Sequence, residues 1–118
     1  KIKKVVFAIF IVYEIIKTVD EVKQQQNLTE IQSISLDVGE MCDIVPSFLK
    51  EAWQAAKSST SYPNARFEIN IITAKAKCKK CGYISAVREL GLTCPNCTGE
   101  AFEIISGKEF EIRQIVAK

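Results

Sequence analysis

The chain has 118 residues, 47% of them apolar and 25% charged, with a formal net charge of +2 and no histidine. Such a length and balance fit one compact domain, or one domain carrying a small stapled lobe, and give no broad electrostatic argument for nucleic acid or membrane as a partner. The missing histidine excludes every mechanism that needs an imidazole from this chain as base or metal ligand.

At the N-terminus, Lys1-Ile2-Lys3-Lys4 leads into an apolar run over residues 5–13 that superficially imitates a secretory signal. The run is too short to span a bilayer, has no small-residue cleavage site and passes directly into Glu14 and Lys17, so it reads as core in a cytoplasmic protein. The spacing of Ile9, Val12, Tyr13, Ile16 and Val19 predicts a helix with that stripe buried and with Glu14, Lys17, Asp20, Glu21 and Lys23 on its other faces. The β-branched residues at its start suit a strand equally well. Because the chain opens on lysine and not methionine, the authenticity of its start stays open.

Gln24-Gln25-Gln26-Asn27 ends the apolar pattern and reads as a helix terminus and loop. Ile34, Leu36 and Val38 then alternate with polar residues, which predicts a half-buried strand closed by Gly39. Pro46 suits the first turn of a second helix whose buried stripe is Phe48, Leu49, Ala52, Trp53 and Ala56, with Trp53 as a core anchor. A turn-rich connection over residues 58–65 follows. The chain then predicts a strand over residues 67–77, a strand and turn over 102–108 and a final alternating strand over 109–116.

Between the second and third of these strands stand Cys78-Lys79-Lys80-Cys81 and Cys94-Pro95-Asn96-Cys97. Each short pair forms a knuckle that turns two sulfurs toward one ion, and two knuckles at this separation supply a tetrahedral thiolate set. Zinc is the natural occupant; rubredoxin-like iron and a pair of disulfides are the lesser alternatives, and a thioredoxin-like redox pair leaves the second knuckle unexplained. Gly82 gives the first knuckle a permissive backbone and Pro95 stiffens the second. Lys79, Lys80 and Arg88 are placed to offset the negative charge of four thiolates on a divalent ion. A closed four-cysteine site has no open position for water, so its role is structural and not catalytic. Cys42, the fifth cysteine, reads as a small, partly buried residue.

The expected fold class is α+β: two helices on a small three-stranded sheet with an inserted zinc-ribbon lobe. The expected domains are a helix-sheet body over residues 1–74 and 103–118 and a zinc-ribbon domain over 75–102. No nucleophile and base pair, phosphate loop or open metal site occurs, so no enzyme is expected.

The block from Ile34 through Asp37, Gly39, Glu40 and Met41, the Pro-initiated helix with Phe48 and Ala52, the two knuckles and the turn Ile105-Ser106-Gly107-Lys108-Glu109 together resemble the HypA family of hydrogenase nickel metallochaperones. The resemblance covers nearly the whole chain. It implies a nickel carrier that works with a HypB-type GTPase to load the precursor of the nickel-iron hydrogenase large subunit and that in some settings assists urease accessory proteins. It also implies that Cys78, Cys81, Cys94 and Cys97 hold structural zinc and that nickel is transient cargo; a homodimer is left open, and neither nucleic acid nor a membrane is implied.

The chain departs from the family where nickel is held. Aligning the first helix and Gly39-Glu40 without gaps puts Phe7 and Ala8 where the family carries a histidine and a glutamate. Nickel(II) favours nitrogen donors in tetragonal sites, so these side chains are no substitute and the nickel ligands stay unknown. Glu40, Cys42 and Asp43 form a loop with ligand chemistry beside the expected position. The other reading is a HypA-like zinc ribbon that has lost nickel and serves as a protein- or nucleic-acid-binding module, with Lys75, Lys77, Lys79 and Lys80 as a weak basic cluster.

Overall fold

The computed structural model describes the backbone of residues 2–118 and the side chains of residues 6–118, so Lys1 of the basic N-terminal tetrad lies outside the described residues. The chain forms α1 (Ile2–Gln25), β1 (Ile31–Gly39), α2 (Pro46–Ala56), β2 (Arg66–Ile72), β3 (Lys75–Cys78), β4 (Ile84–Ala86), β5 (Phe102–Ser106) and β6 (Phe110–Ala117), with single 3₁₀ turns at Lys57–Ser59 and Val87–Glu89. The class is α+β, as the sequence predicts. Strands β2, β1 and β6 form one three-stranded sheet with β1 central; β4, β3 and β5 form another with β3 central.

The chain divides into two compact units. The first comprises Lys1–Asp37, Asp43–Asn70 and Glu111–Lys118; the second comprises Val38–Cys42 and Ile71–Phe110. The ribbon expected over residues 75–102 falls inside the second unit, which also takes β5 because β5 pairs with β3.

In the first unit, α1 and α2 pack on each other. Pro46 starts α2 without a side-chain cap from Val45; its fixed φ pre-organises the first turn and its missing N–H leaves one fewer donor to satisfy. Leu49, Ala52, Trp53 and Ala56 of α2 are buried. Trp53 stacks on Phe67 with ring centroids 5.2 Å apart and on Tyr62 at 6.3 Å, so one indole joins α2, β2 and the loop before it. Ile34 and Leu36 of β1 are fully enclosed, fixing which side of the strand faces the core. The Tyr62 hydroxyl donates to Asp20 Oδ1 at 2.8 Å, which ties the loop to α1.

Two expectations are corrected and one open choice is decided. The first residues, which suit helix and strand equally in sequence, are helical from Ile2. Its buried stripe is Ala8, Val12, Ile15 and Val19, while Ile9 and Tyr13 of the predicted stripe are 37% and 55% exposed. With every residue from 6 to 13 apolar, the run has no internal contrast to choose a face, and packing chose it. The single strand expected over 67–77 is two, broken at Thr73-Ala74. There the backbone bonds elsewhere: Ala74 N donates to Glu40 Oε1 at 2.9 Å, Ala74 O accepts Val87 N at 2.9 Å and Thr73 O accepts Ser106 Oγ at 2.9 Å. Among the described residues no helix is long and apolar enough to cross a membrane.

Candidate metal centre

The second unit gathers its site from two knuckles built alike. Strand β3 delivers Cys78, whose carbonyl accepts the N–H of Gly82 at 2.9 Å; after the excursion through β4, the Cys94 carbonyl accepts the N–H of Thr98 at 2.9 Å. In both, the residue following the second cysteine adopts a left-handed conformation, Gly82 at φ 82° and Thr98 at φ 62°. Glycine takes this conformation freely and threonine does so at a cost. Cys78 N donates to Tyr83 O at 2.9 Å, Cys94 N to Gly99 O at 2.7 Å and Lys79 N to Ala101 O at 2.9 Å, so each turn is tied back to the strand or loop beside it.

These turns bring all four sulfurs of Cys78, Cys81, Cys94 and Cys97 within 4.8 Å of one another. The Cys78–Cys97 pair is 3.6 Å apart and the Cys81–Cys94 pair 3.7 Å. Thiolates about 2.3 Å from a central zinc stand roughly 3.8 Å from each other in a tetrahedron, whereas a disulfide needs about 2.05 Å. The donor set and its spacing therefore fit a tetrahedral ion. Cys78 and Cys94 are buried, Cys81 is exposed and Cys97 is intermediate, so the centre lies at the edge of the unit. Gly99 closes one side: a Cβ there would meet Cys97 Sγ at 3.3 Å, Cys78 Sγ at 3.4 Å and Lys80 Cβ at 3.4 Å.

Electrostatics support the same reading. The Asn96 amide, donating from 3.5 Å, and then the Tyr83 backbone bring the Cys81 thiol down to about 6. The Cys81 backbone does the same, in direction, for Cys78. At Cys97 the Gly99 backbone lowers the thiol, but burial and the three neighbouring sulfurs outweigh it and push it up to about 12. Cys78 and Cys81 thus ionise easily and Cys97 reluctantly, and a divalent cation is what permits closely packed thiolates to coexist.

Of the cations expected beside the cluster, Arg88 is engaged elsewhere, 3.3 Å from Glu40 Oε2. Glu40 is thus held by Arg88 and by the Ala74 N–H, and it does not gather with Cys42 and Asp43: among the described residues, the group bringing three or more ligand side chains together is the four cysteines. Phe7 and Ala8, where the resemblance places the nickel-binding residues, offer no donor side chain; Phe7 is 51% exposed and Ala8 is buried. Sequence reasoning missed Asn96, Thr98 and Gly99. Asn96 was visible inside the second knuckle, but its amide-to-sulfur bond arises only once the two knuckles meet.

A family model described as "Hydrogenase/urease nickel incorporation, metallochaperone, hypA" matches residues 8–117. The hydrogenase maturation factor HypA of Rhizobium leguminosarum bv. viciae is 31% identical over 101 residues, covering 86% of this chain and 89% of that one. The protein of the same name from Methanococcus aeolicus is 28% identical over 113 residues, covering 93% and 92%. The fold is similar to the solution structure of the Ni metallochaperone HypA from Helicobacter pylori, with a TM-score of 0.64 at 17% identity and coverage of 92% and 95%, and to another solution structure of HypA protein with a TM-score of 0.69.

Proposed function

The chain belongs to the HypA family of hydrogenase and urease nickel-incorporation metallochaperones, and from that premise we propose that it assists nickel insertion during maturation of nickel-iron hydrogenase. The observation that carries this reading is the extent of the match, which runs from the first helix through both knuckles to the last strand. In this reading Cys78, Cys81, Cys94 and Cys97 hold zinc, a d¹⁰ ion suited to a closed thiolate tetrahedron, and the zinc fixes the fold of the second unit. Its partners are a HypB-type GTPase and the precursor of the hydrogenase large subunit, in the cytoplasm, with urease accessory proteins as further clients. The protein delivers cargo and performs no catalysis of its own.

One observation favours a second reading, a HypA-like ribbon that keeps zinc and has lost nickel. The chain has no histidine, and an exposed phenylalanine with a buried alanine occupies the expected nickel position. Isothermal titration of nickel into the zinc-loaded chain separates the two. Saturable uptake, with capture of a HypB-type GTPase, supports the chaperone. Absence of both overturns it in favour of the ribbon. Phe7→His is the informative variant, because position 7 is half exposed and tolerates an imidazole, whereas Ala8→Glu would force a carboxylate into the core. Nickel uptake appearing only in Phe7→His locates the loss at that one residue.

A further inference from the structure

One flank of α2 carries a row of polar side chains that the core does not use. Lys50, Gln54 and Lys57 stand at i, i+4 and i+7, which at about 100° per residue places them within an arc of roughly 60° beside the buried Trp53. They form one wall of a groove of about 520 Å³; Arg66 and Glu68 of β2 form the other, and Trp53 and Phe67 lie at its base. Among the described residues Lys50, Lys57 and Arg66 belong to no ion pair, so the groove holds three uncompensated cations and one carboxylate. We propose that it is a docking site for an extended acidic segment of a partner protein, which adds to the first sheet as a strand along the open edge of β2.

The backbone of β2 is open on one side. The sheet order β2-β1-β6 gives β2 a single strand neighbour, and among the described residues its one backbone bond outside the regular elements is at its end, where Ile72 O accepts the N–H of Glu40 at 2.8 Å. A seven-residue edge strand with unpaired N–H and C=O groups is a template for a further strand. The residues of the groove all lie in the first unit, and none of them belongs to the metal centre or to the expected nickel position.

Charge and spacing select the occupant. Lys50 and Lys57 are about 10 Å apart along α2, a rise that a strand covers in about three residues, so carboxylates at alternate positions of an added strand bring one within reach of each lysine. A phosphate chain would satisfy the cations but has no N–H and C=O groups to offer the edge. The β2 strand of a second copy carries one arginine and one glutamate, so it brings no net negative charge to the groove. An acidic peptide answers both the cations and the edge.

Fluorescence anisotropy of a labelled, end-blocked peptide of about eight alternating glutamate and valine residues, titrated with the zinc-loaded chain, tests the site. The expected result is saturable binding with a dissociation constant of about 10 to 100 µM, the strength of a small interface, and no binding when lysine replaces glutamate. Lys50→Glu combined with Arg66→Glu should weaken binding at least about tenfold, and Glu68→Lys should strengthen it. Circular dichroism and bound zinc should stay unchanged in these variants, since all three side chains are exposed. Methylation of the peptide's backbone nitrogens, which keeps its charges and removes its donors, should abolish binding. No binding, equal affinity for the lysine peptide, indifference to the charge reversals, or inorganic polyphosphate binding as tightly as the peptide overturns the docking site. Undiminished binding of the methylated peptide overturns the strand addition.

Discussion

The first unit encloses Ile34, Leu36, Leu49 and Trp53 to within 2% of complete burial, whereas the second unit's buried side chains are Val38, Ala74, Ala76 and the thiols of Cys78 and Cys94. The first has large side chains to remove from water, and a stacked Phe67–Trp53–Tyr62 group within them. The second has methyl groups, one valine and sulfur. At the roughly 25 cal/mol per Å² that apolar burial supplies, the second unit has too little enclosed carbon to offset the ordering of its forty-odd residues. Small lobes of this kind depend on a staple. The first unit should thus be a conventional hydrophobic fold, and the second one that folds when metal binds.

The largest effect expected from this contrast is metal removal. Zinc bound by knuckle pairs contributes about 10–16 kcal/mol of coupled folding free energy in peptide systems, far more than the second unit's apolar burial can replace. Stripping the ion with a strong chelator, or replacing Cys78 with Ser, should erase amide-exchange protection over β3, β4 and β5 while α1, α2 and β1 keep theirs. Acid should act as the chelator does, because protons compete with the metal for thiolates. Protected amides in β3 without metal would break the comparison outright.

Trp53→Ala is the mirror experiment. Removing a buried tryptophan costs about 3–5 kcal/mol, and here it also removes the partner of both Phe67 and Tyr62. Chemical denaturation should show the first unit destabilised by that amount, with zinc content unchanged in the native baseline. Loss of zinc in step with the helices would show that the two units are one cooperative fold.

The contrast also explains what was legible in the sequence. Knuckle spacing, the Pro46 start of α2 and the strand ending at Gly39 are local signals, and each is found where it was expected. The face of α1 was not legible, because eight consecutive apolar residues contain no period. The break at Thr73-Ala74 was not legible either. It depends on Glu40 reaching Ala74 N from over thirty positions away, and on Gly107, where a Cβ would come within 2.4 Å of Ala74 Cα. Gly39 meets the same limit, since its Cβ would lie 2.1 Å from Gly107 O. That close backbone approach leaves no room for a Cβ at either position, and a single glycine in sequence does not announce its partner. Of the candidate site, the four ligand types were readable; the amide of Asn96 and the lid at Gly99 exist only in three dimensions.

A smaller test lies in the first unit. The Tyr62 phenol is buried and donates to Asp20, and burial first, then that bond, pushes its pKa above the usual value near 10. A raised folded-state pKa means this stabilisation is fully present below the unfolded value and is lost as pH climbs through the folded one. Tyr62→Phe should therefore cost about 1 kcal/mol at neutral pH and should remove part of the stability loss seen above about pH 10. Parallel pH profiles for the two proteins would show that the hydroxyl carries no such linkage.

The smallest expected effect compares the two knuckles with each other. Gly82 and Thr98 hold the same position and the same hydrogen bond, and both have positive φ. A side chain in this conformation costs about 1–2 kcal/mol, more for a β-branched one. Thr98→Gly relieves that strain but gives the unfolded chain more freedom and forfeits the Thr98 hydroxyl bond to Cys97 O, so the net gain should be at most about 1 kcal/mol. Gly82→Ala adds strain without a clash, since its Cβ would meet only Lys77 Cε at 3.7 Å. It should lose about 1 kcal/mol. Competition for zinc with a chromophoric chelator reads both: affinity should rise up to about fivefold in the first variant and fall by about that factor in the second. Equal and unchanged affinities would mean that the ion's bonds override backbone strain. The staple would then dominate the second unit even at the level of a single dihedral angle.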